Sequence, residues 1–319
     1  MNLAECTTLG LGGPADRFVT AAGEDELIEA VDGPVLILGG GSNLVVSDKG
    51  FPGTVVRVAT RGIDIDGTTV TVAAGEPWDG VVGRTVGVGL SGLECLSGIP
   101  GLTGATPIQN VGAYGQEVAD TITAVRVYDR DKQKITFFQN RQCCFAYRTS
   151  LFRKTERYVV LEVTFRLSAD PLPIRYAELA KTVGASVAPP GRTREAVLGL
   201  RRGKGMVLDP ADPDTRSAGS FFTNPVVDVA PEGAPHYDAG DGKVKVPAAW
   251  LIEHAGFAKG YPGPDAPVRI SAKHTLALVN TGAATTEELL ALAREIRAGV
   301  QSAYGIELRP EPTLVGVSL

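Results

Sequence analysis

The chain has 319 residues, enough for two or three domains around a substantial core. Its formal net charge of -5 excludes a surface built for non-specific nucleic-acid binding, yet leaves room for a small anionic ligand held by a few focused cations. Hydrophobic residues at 44% and charged residues at 21% are ordinary for a soluble protein.

The first residues lack a basic stretch followed by an apolar one, so no signal peptide is expected. No apolar run reaches membrane-spanning length. A cytoplasmic location is expected. Cys6, Cys95, Cys143 and Cys144 form no secreted-type framework and read as buried small hydrophobes. With His236, His254 and His274 scattered, no metal site is expected. Glycine is the outlier: its 39 residues gather in compact clusters between apolar runs, as they would where a cofactor lies against main chain.

Along the chain, Asp25 to Val31 reads as a short helix and Val35 to Leu38 as a buried strand. Strands follow at Val45-Val46, Thr54 to Val58 and Thr69 to Ala73, then a helix over Trp78 to Val88. The stretch from Gly89 to Gly115 is too apolar for a solvated linker and reads as an ordered loop wrapped around a ligand. Strands are expected at Thr123 to Tyr128, Lys134 to Phe138 and Tyr158 to Leu167, and helices at Tyr176 to Val183 and Thr193 to Arg202. The polar run from Gly205 to Ser217 marks a boundary. A helix over Pro247 to Ala255 and a strand over Thr275 to Val279 precede the clearest helix, Thr286 to Ser302. Thr285 or Thr286 caps it, and Leu289, Leu292, Ile296 and Val300 share one face. A last strand is expected from Ile306 to Val315. Strands and helices without regular alternation make the class α+β.

Five clusters carry candidate chemistry. Gly39-Gly40-Gly41-Ser42-Asn43 follows a strand, and its amides could line an anion site or simply make a tight turn. Gly98 to Gly115 offers small residues against a ring system, with Gln109 and Asn110 to bond its heteroatoms. Arg148 follows Tyr147, the arrangement of an ordinary surface arginine. Ser220 and Asn224 bracket Phe221 and Phe222, as a polar pocket or a capped turn would. Glu311 sits between Pro310 and Pro312.

Taken together and in order, these clusters are specific. The segments TTLGLGGPAD (7–16), LGGGSN (38–43), GEPW (75–78), SGIPG (97–101), PIQNVGAYGQE (107–117), FAYRTSLF (145–152), AGSFFTNPVV (218–227), AAWLIE (248–253) and LRPE (308–311) resemble the UDP-N-acetylenolpyruvoylglucosamine reductase, or MurB, family. The resemblance runs from about Thr7 to Val317. It implies a two-subdomain FAD-binding fold of the vanillyl-alcohol-oxidase type (residues 1–58 and 59–205). A C-terminal α+β substrate domain (206–319) would follow, its last strand able to return to the FAD domain. It further implies non-covalent FAD, NADPH as hydride donor, a UDP-amino sugar as substrate, and a monomer that binds neither nucleic acid nor membrane.

By resemblance, Gly39, Gly40, Gly41, Ser42 and Asn43 cradle the FAD pyrophosphate. Gly104, Gln109, Asn110, Gly112, Ala113 and Gly115 follow the flavin. Arg148 and Glu311 match the active-site pair facing the substrate carboxylate, and Ser220 matches the proton donor to carbon. Tyr114, Asn224, Tyr237, Lys245 and His274 fall at substrate-binding places, with Lys204 a further candidate cation. Tyr176 matches the tyrosine of the family form that has a substrate-covering loop. Pro312-Thr313 departs from relatives that carry a basic residue there. A flavin oxidase of an alcohol or sugar on the same fold is the alternative reading, and a non-catalytic nucleotide-binding protein a further one.

Overall fold

The computed structural model describes residues 1–153 and 155–319. The chain forms two compact units, each assembled from separate stretches. One comprises residues 16–40 and 52–203; the other comprises 1–15, 41–51 and 204–319. The expected α+β class is found, with helices and mostly antiparallel sheets.

The 16–40/52–203 unit is built on a five-stranded antiparallel sheet. Its order is Lys134–Gln139, Ile122–Asp129, Tyr158–Arg166, Thr69–Ala73 and Ile63–Asp66. Alternation sets its register: Val125 lies opposite Val163, and Val163 opposite Val72, all fully buried. Against this core pack Trp78, Val81 and Val82 of the helix Trp78–Gly87. A smaller sheet pairs Val35–Leu38 in parallel with Thr54–Arg57. The helices Ala177–Val183 and Pro190–Gly203 share a separate small core around Leu179, Val183 and Val197. The expected start of the second of these at Thr193 is three residues late, because Pro190 suits the first helical turn.

In the other unit, Ser217–Ser220, Ala277–Asn280 and Val268–Ile270 form one sheet. Val226–Val227, Lys243–Lys245 and Tyr237–Gly240 form another. The first of these sheets packs on the helix Thr286–Tyr304, whose Leu289, Leu290, Ile296 and Val300 are buried. Thr285 is its cap: the hydroxyl accepts from the Glu288 amide, while the Glu288 carboxylate accepts from the Thr285 amide. Gly305, at φ 69, closes the far end. The expected strand from Ile306 to Val315 is reduced to Thr313–Val315, parallel to Leu44–Val46. Pro310 and Pro312 have no amide hydrogen to give a ladder, which accounts for the shortening.

All four cysteines are free, and burial pushes the thiols of Cys95 and Cys143 up to about 12. Cys144 is exposed and Cys6 only half-buried, so the reading of the thiols as core residues holds for two of the four. Among the described residues, no helix is long and apolar enough to cross a membrane.

The Gly41–Phe51 stretch is fastened to the long helix by Asp48. Its two carboxylate oxygens accept from the Thr286 and Glu287 amides at 2.9 and 3.3 Å, and the Thr286 hydroxyl donates to Val46 O at 2.7 Å. A carboxylate at the positive end of a 19-residue helix is well placed. Asp48→Ala is therefore expected to cost about 1–2 kcal/mol in urea unfolding, and Asp48→Asn less, since its amide oxygen can still accept from the Thr286 amide. Equal stability of the three proteins would show that this contact does not fasten the stretch.

Candidate active site

In the 16–40/52–203 unit the two glycine clusters lie on each other. A Cβ on Gly40 would come within 2.7 Å of Gly101 Cα, and one on Gly104 within 2.6 Å of Ala74 Cβ; Gly39 faces Leu102 and Ala105. At Gly40 main chain passes main chain with nothing larger than hydrogen between. The turn follows the carboxyl end of the parallel strand Val35–Leu38, where ligands of α/β sheets usually sit. Backbone amides and small side chains are a donor set that fits a dinucleotide cofactor. On the 41–51 side of the same turn, Gly41 (φ 63) lies so close to the Cys6 carbonyl that a Cβ would collide with it.

Asn110 does something other than bond a ring. It sits at φ 45, buried, with its carboxamide spent on protein: Nδ2 donates to Glu117 Oε2 (2.8 Å) and Ala146 O (3.1 Å), and Oδ1 accepts from the Ala119 amide (3.1 Å). Asn110 thus ties the Gly98–Gly115 loop to the Arg148 turn. Gly112 and Gly115 are equally constrained. A Cβ on Gly112 would meet Glu117 Cγ at 2.8 Å, and Gly115 (φ 81) packs on Arg175. Gly112 and Ala113 pair with Glu117 and Gln116. Gln109 is buried.

Arg148 is at the tip of a two-residue turn closed by reciprocal Ala146–Thr149 backbone bonds, both 3.1 Å. Its φ is 53, uncommon for a residue with a side chain and frequent at functional sites. The guanidinium Nη2 donates to Gly112 O at 2.8 Å, and the guanidinium carbon Cζ lies 5.3 Å from the centre of the Tyr147 ring. Arg153 donates to the Arg148 carbonyl at 2.6 Å. Tyr114 (φ 49) meets Tyr176 edge to face at 5.5 Å between ring centres, and burial pushes the Tyr114 phenol up to about 12. Tyr176 stands at the N-cap of the helix Ala177–Val183 and is 42% exposed.

The other unit holds Ser220 and Glu311. Ser217 pairs with Val279 and Ser220 with Ala277, so the strand carries one extra residue, with Gly219 at φ 72. Such bulges re-aim a side chain. Phe221 and Phe222 are buried and pack edge to face at 5.1 Å, anchoring the segment. The Glu311 amide donates to Phe221 O at 2.9 Å and the Thr223 amide to Arg309 O at 3.1 Å. The SFFTN and RPE motifs, some ninety residues apart in sequence, therefore run side by side, with Glu311 bonded to the residue after Ser220.

Asn224 Oδ1 accepts from the Ala248 amide at 2.9 Å and so caps the helix Ala248–His254. Tyr237 and Lys245 are direct register partners, which puts their Cβ atoms on one face of the sheet. The His274 amide donates to Ser271 Oγ, which donates to the buried Asp214 carboxylate. Lys204, half-buried, opens the last stretch of this unit. Sequence reasoning missed Asp79 and Arg201, which bond the Gly98 amide and carbonyl, and Arg194, which holds the Asp79 carboxylate. Spacings of about one hundred residues gave no signal for that contact.

The fold and these sites define a flavin-dependent oxidoreductase. Residues 15–136 match the FAD binding domain, and residues 210–315 match the UDP-N-acetylenolpyruvoylglucosamine reductase, C-terminal domain. The chain is 54% identical to the UDP-N-acetylenolpyruvoylglucosamine reductase of Thermobifida fusca, over 99% of this chain and 97% of that relative. It is also 54% identical to the Streptomyces avermitilis protein of the same name, over 99% and 94%. The crystal structure of the Thermus caldophilus reductase superposes with a TM-score of 0.73 at 29% identity, covering 99% of this chain and 97% of that one. The chain belongs to the UDP-N-acetylenolpyruvoylglucosamine reductase (MurB) family.

Asn110→Ala removes three hydrogen bonds and leaves a side chain in the left-handed region, for an expected loss of about 2–4 kcal/mol. Asn110→Gly relieves the backbone and should lose less. Chemical denaturation of the flavin-free protein measures both, and a loss below about 0.5 kcal/mol in each would refute the structural role.

Proposed function

We propose that the protein reduces UDP-N-acetyl-3-O-(1-carboxyvinyl)-glucosamine to UDP-N-acetylmuramate in cytoplasmic peptidoglycan precursor synthesis, with NADPH as the electron source. The Gly39–Asn43 turn would hold the FAD pyrophosphate, and the Gly98–Gly115 loop the flavin. FAD, when bound, supplies the hydride that reaches the terminal carbon of the enolpyruvyl double bond.

What this chain's residues do follows from charge. Hydride addition leaves electron density on the carbon next to a carboxylate, and that density must be stabilised. Arg148 offers the fork that fits a carboxylate, held in aim by Gly112 O and by its turn. Ser220 Oγ holds the proton for the neighbouring carbon; a weak acid suffices there because the carbon is strongly basic once hydride has arrived. Glu311 is the acidic partner of the same carboxylate. The single observation carrying this reading is the Glu311 amide bond to Phe221 O, which sets an acid and a hydroxyl on adjoining segments of one unit. Lys245 with Tyr237, on one sheet face, suit a diphosphate, and Asn224, His274, Tyr114 and Lys204 suit the rest of the sugar nucleotide. Tyr176, exposed against Tyr114, suits the substrate-covering role of the tyrosine-loop form.

The purified protein is expected to be yellow, releasing FAD on acid denaturation because no attachment residue lies in either glycine cluster. A flavin that stays on the polypeptide would contradict this. Ser220→Ala should leave flavin reduction by NADPH nearly unchanged while slowing reoxidation by the enolpyruvyl substrate about 10²–10⁴-fold, and Ser220→Cys should retain more. Stopped-flow absorbance separates the two halves. Equal slowing of both would assign the proton to another group, and reoxidation by oxygen faster than by substrate would favour the oxidase reading.

A further inference from the structure

The peptide at Gly98 opens the loop just assigned to the flavin, and it is gripped from both sides by charge. Asp79 Oδ1 accepts from the Gly98 amide at 2.6 Å. The same carboxylate is held bidentately by Arg194, Nη1 to Oδ1 at 2.6 Å and Nη2 to Oδ2 at 2.8 Å. On the other side Arg201 Nη2 donates to Gly98 O at 3.3 Å. Arg194 and Arg201 are seven residues apart on the helix Pro190–Gly203, two turns, and therefore share one face. Gly98 itself is at φ 70, one of several conformations open to glycine, so a contact is needed to select it.

The neighbouring chain supports the same loop along its length. Ala74 O accepts from the Gly104 amide, Glu76 O from the Thr103 amide, and the Trp78 amide donates to Gly101 O. To these backbone contacts Asp79 adds one made by an ionised side chain, as Arg201 does from the helix. Burial acts to raise its carboxyl, but Arg194 and the Gly98 amide outweigh it and hold the group below the usual carboxylate range.

We infer that Asp79 is a positioning residue for the cofactor: locked by Arg194, it fixes the Gly98 peptide and so presets the path of the Gly98–Gly104 loop that receives the flavin. Its effect is preorganisation. A loop that populates other paths binds its ligand more weakly by the fraction of time it is competent. The inference rests on the assignment of that loop to FAD. Asp79 touches neither substrate nor cofactor in this role.

The test uses the holoenzyme and its flavin-free form. FAD affinity is measured by titration with quenching of flavin fluorescence, alongside the visible spectrum at saturation and the melting temperature of the flavin-free protein. Asp79→Asn keeps the shape and loses the charge and the fork; a rise in the FAD dissociation constant of about tenfold or more is expected. The saturated variant should also show an altered fine structure in its flavin band, which a merely stabilising contact would not move. Arg194→Lys, retaining charge without the fork, should weaken FAD less than Arg194→Gln. An Asp79→Asn protein with unchanged FAD affinity and spectrum but a lower melting temperature overturns the inference. If Asp79→Asn does not fold, the Arg194 pair decides: equal affinity for FAD in Arg194→Lys, Arg194→Gln and the natural protein overturns it. A natural protein that binds no FAD would instead remove the loop assignment itself.

Discussion

The structure depends on the close passage of two stretches of main chain, Gly40 over Gly101, with no side chain between them. Everything near it serves that approach. Gly104 takes the loop past Ala74, the amides of Thr103 and Gly104 are paid out to Glu76 and Ala74, and Trp78 pins Leu96 and Gly101 while filling the core against Phe165. A methyl group at Gly40 or Gly104 would have to displace backbone or a buried alanine, so the constraint is steric and local, and no distant change can relieve it.

The second organising feature is the pairing of the Phe221–Thr223 segment with Arg309–Glu311. It is too short and too interrupted by proline to count as a sheet, yet it sets the position of Glu311 relative to Ser220. The bulge at Ala218–Gly219 and the two buried phenylalanines hold one partner; the parallel pairing of Thr313–Val315 with Leu44–Val46 holds the other. Ser220 is thus fixed beside two buried phenylalanines, and Glu311 by backbone pairing on both sides of it.

Much of this was legible in the chain. The helix Thr286–Tyr304 announces itself through Thr285, Glu288 and an apolar stripe, because caps and periodicity are local. The glycine clusters announce a close approach, because few other needs explain so many in so little sequence. The strands Ile63–Asp66 and Val268–Ile270 escaped notice: each is three or four residues long and mixes charge with aliphatics, so pairing rather than propensity makes them strands. Ser217–Ser220 escaped because its bulge breaks the alternation. Among site residues, Asn110 invited a ligand role by its chemistry, and only the fold shows its amide turned to Glu117, Ala146 and Ala119. The pairing of Tyr237 with Lys245 depends on a hairpin register that eight residues of polar sequence do not declare.

The unit made of residues 1–15, 41–51 and 204–319 also has a temporal meaning. Leu9 O waits for Asn280 Nδ2, and Val46 O for the Thr286 hydroxyl, partners 271 and 240 positions further on. On a ribosome the chain emerges from its N-terminus, so the intervening residues can condense while Leu9 and Val46 still lack these bonds. The glycine turn spans the change from one unit to the other at Gly40 and Gly41; Gly41 O accepts from the nearby Thr8 amide, whereas Asn43 O accepts from the amide of Thr313. Synthesis thus makes this last bond of the turn wait until almost the whole chain has emerged.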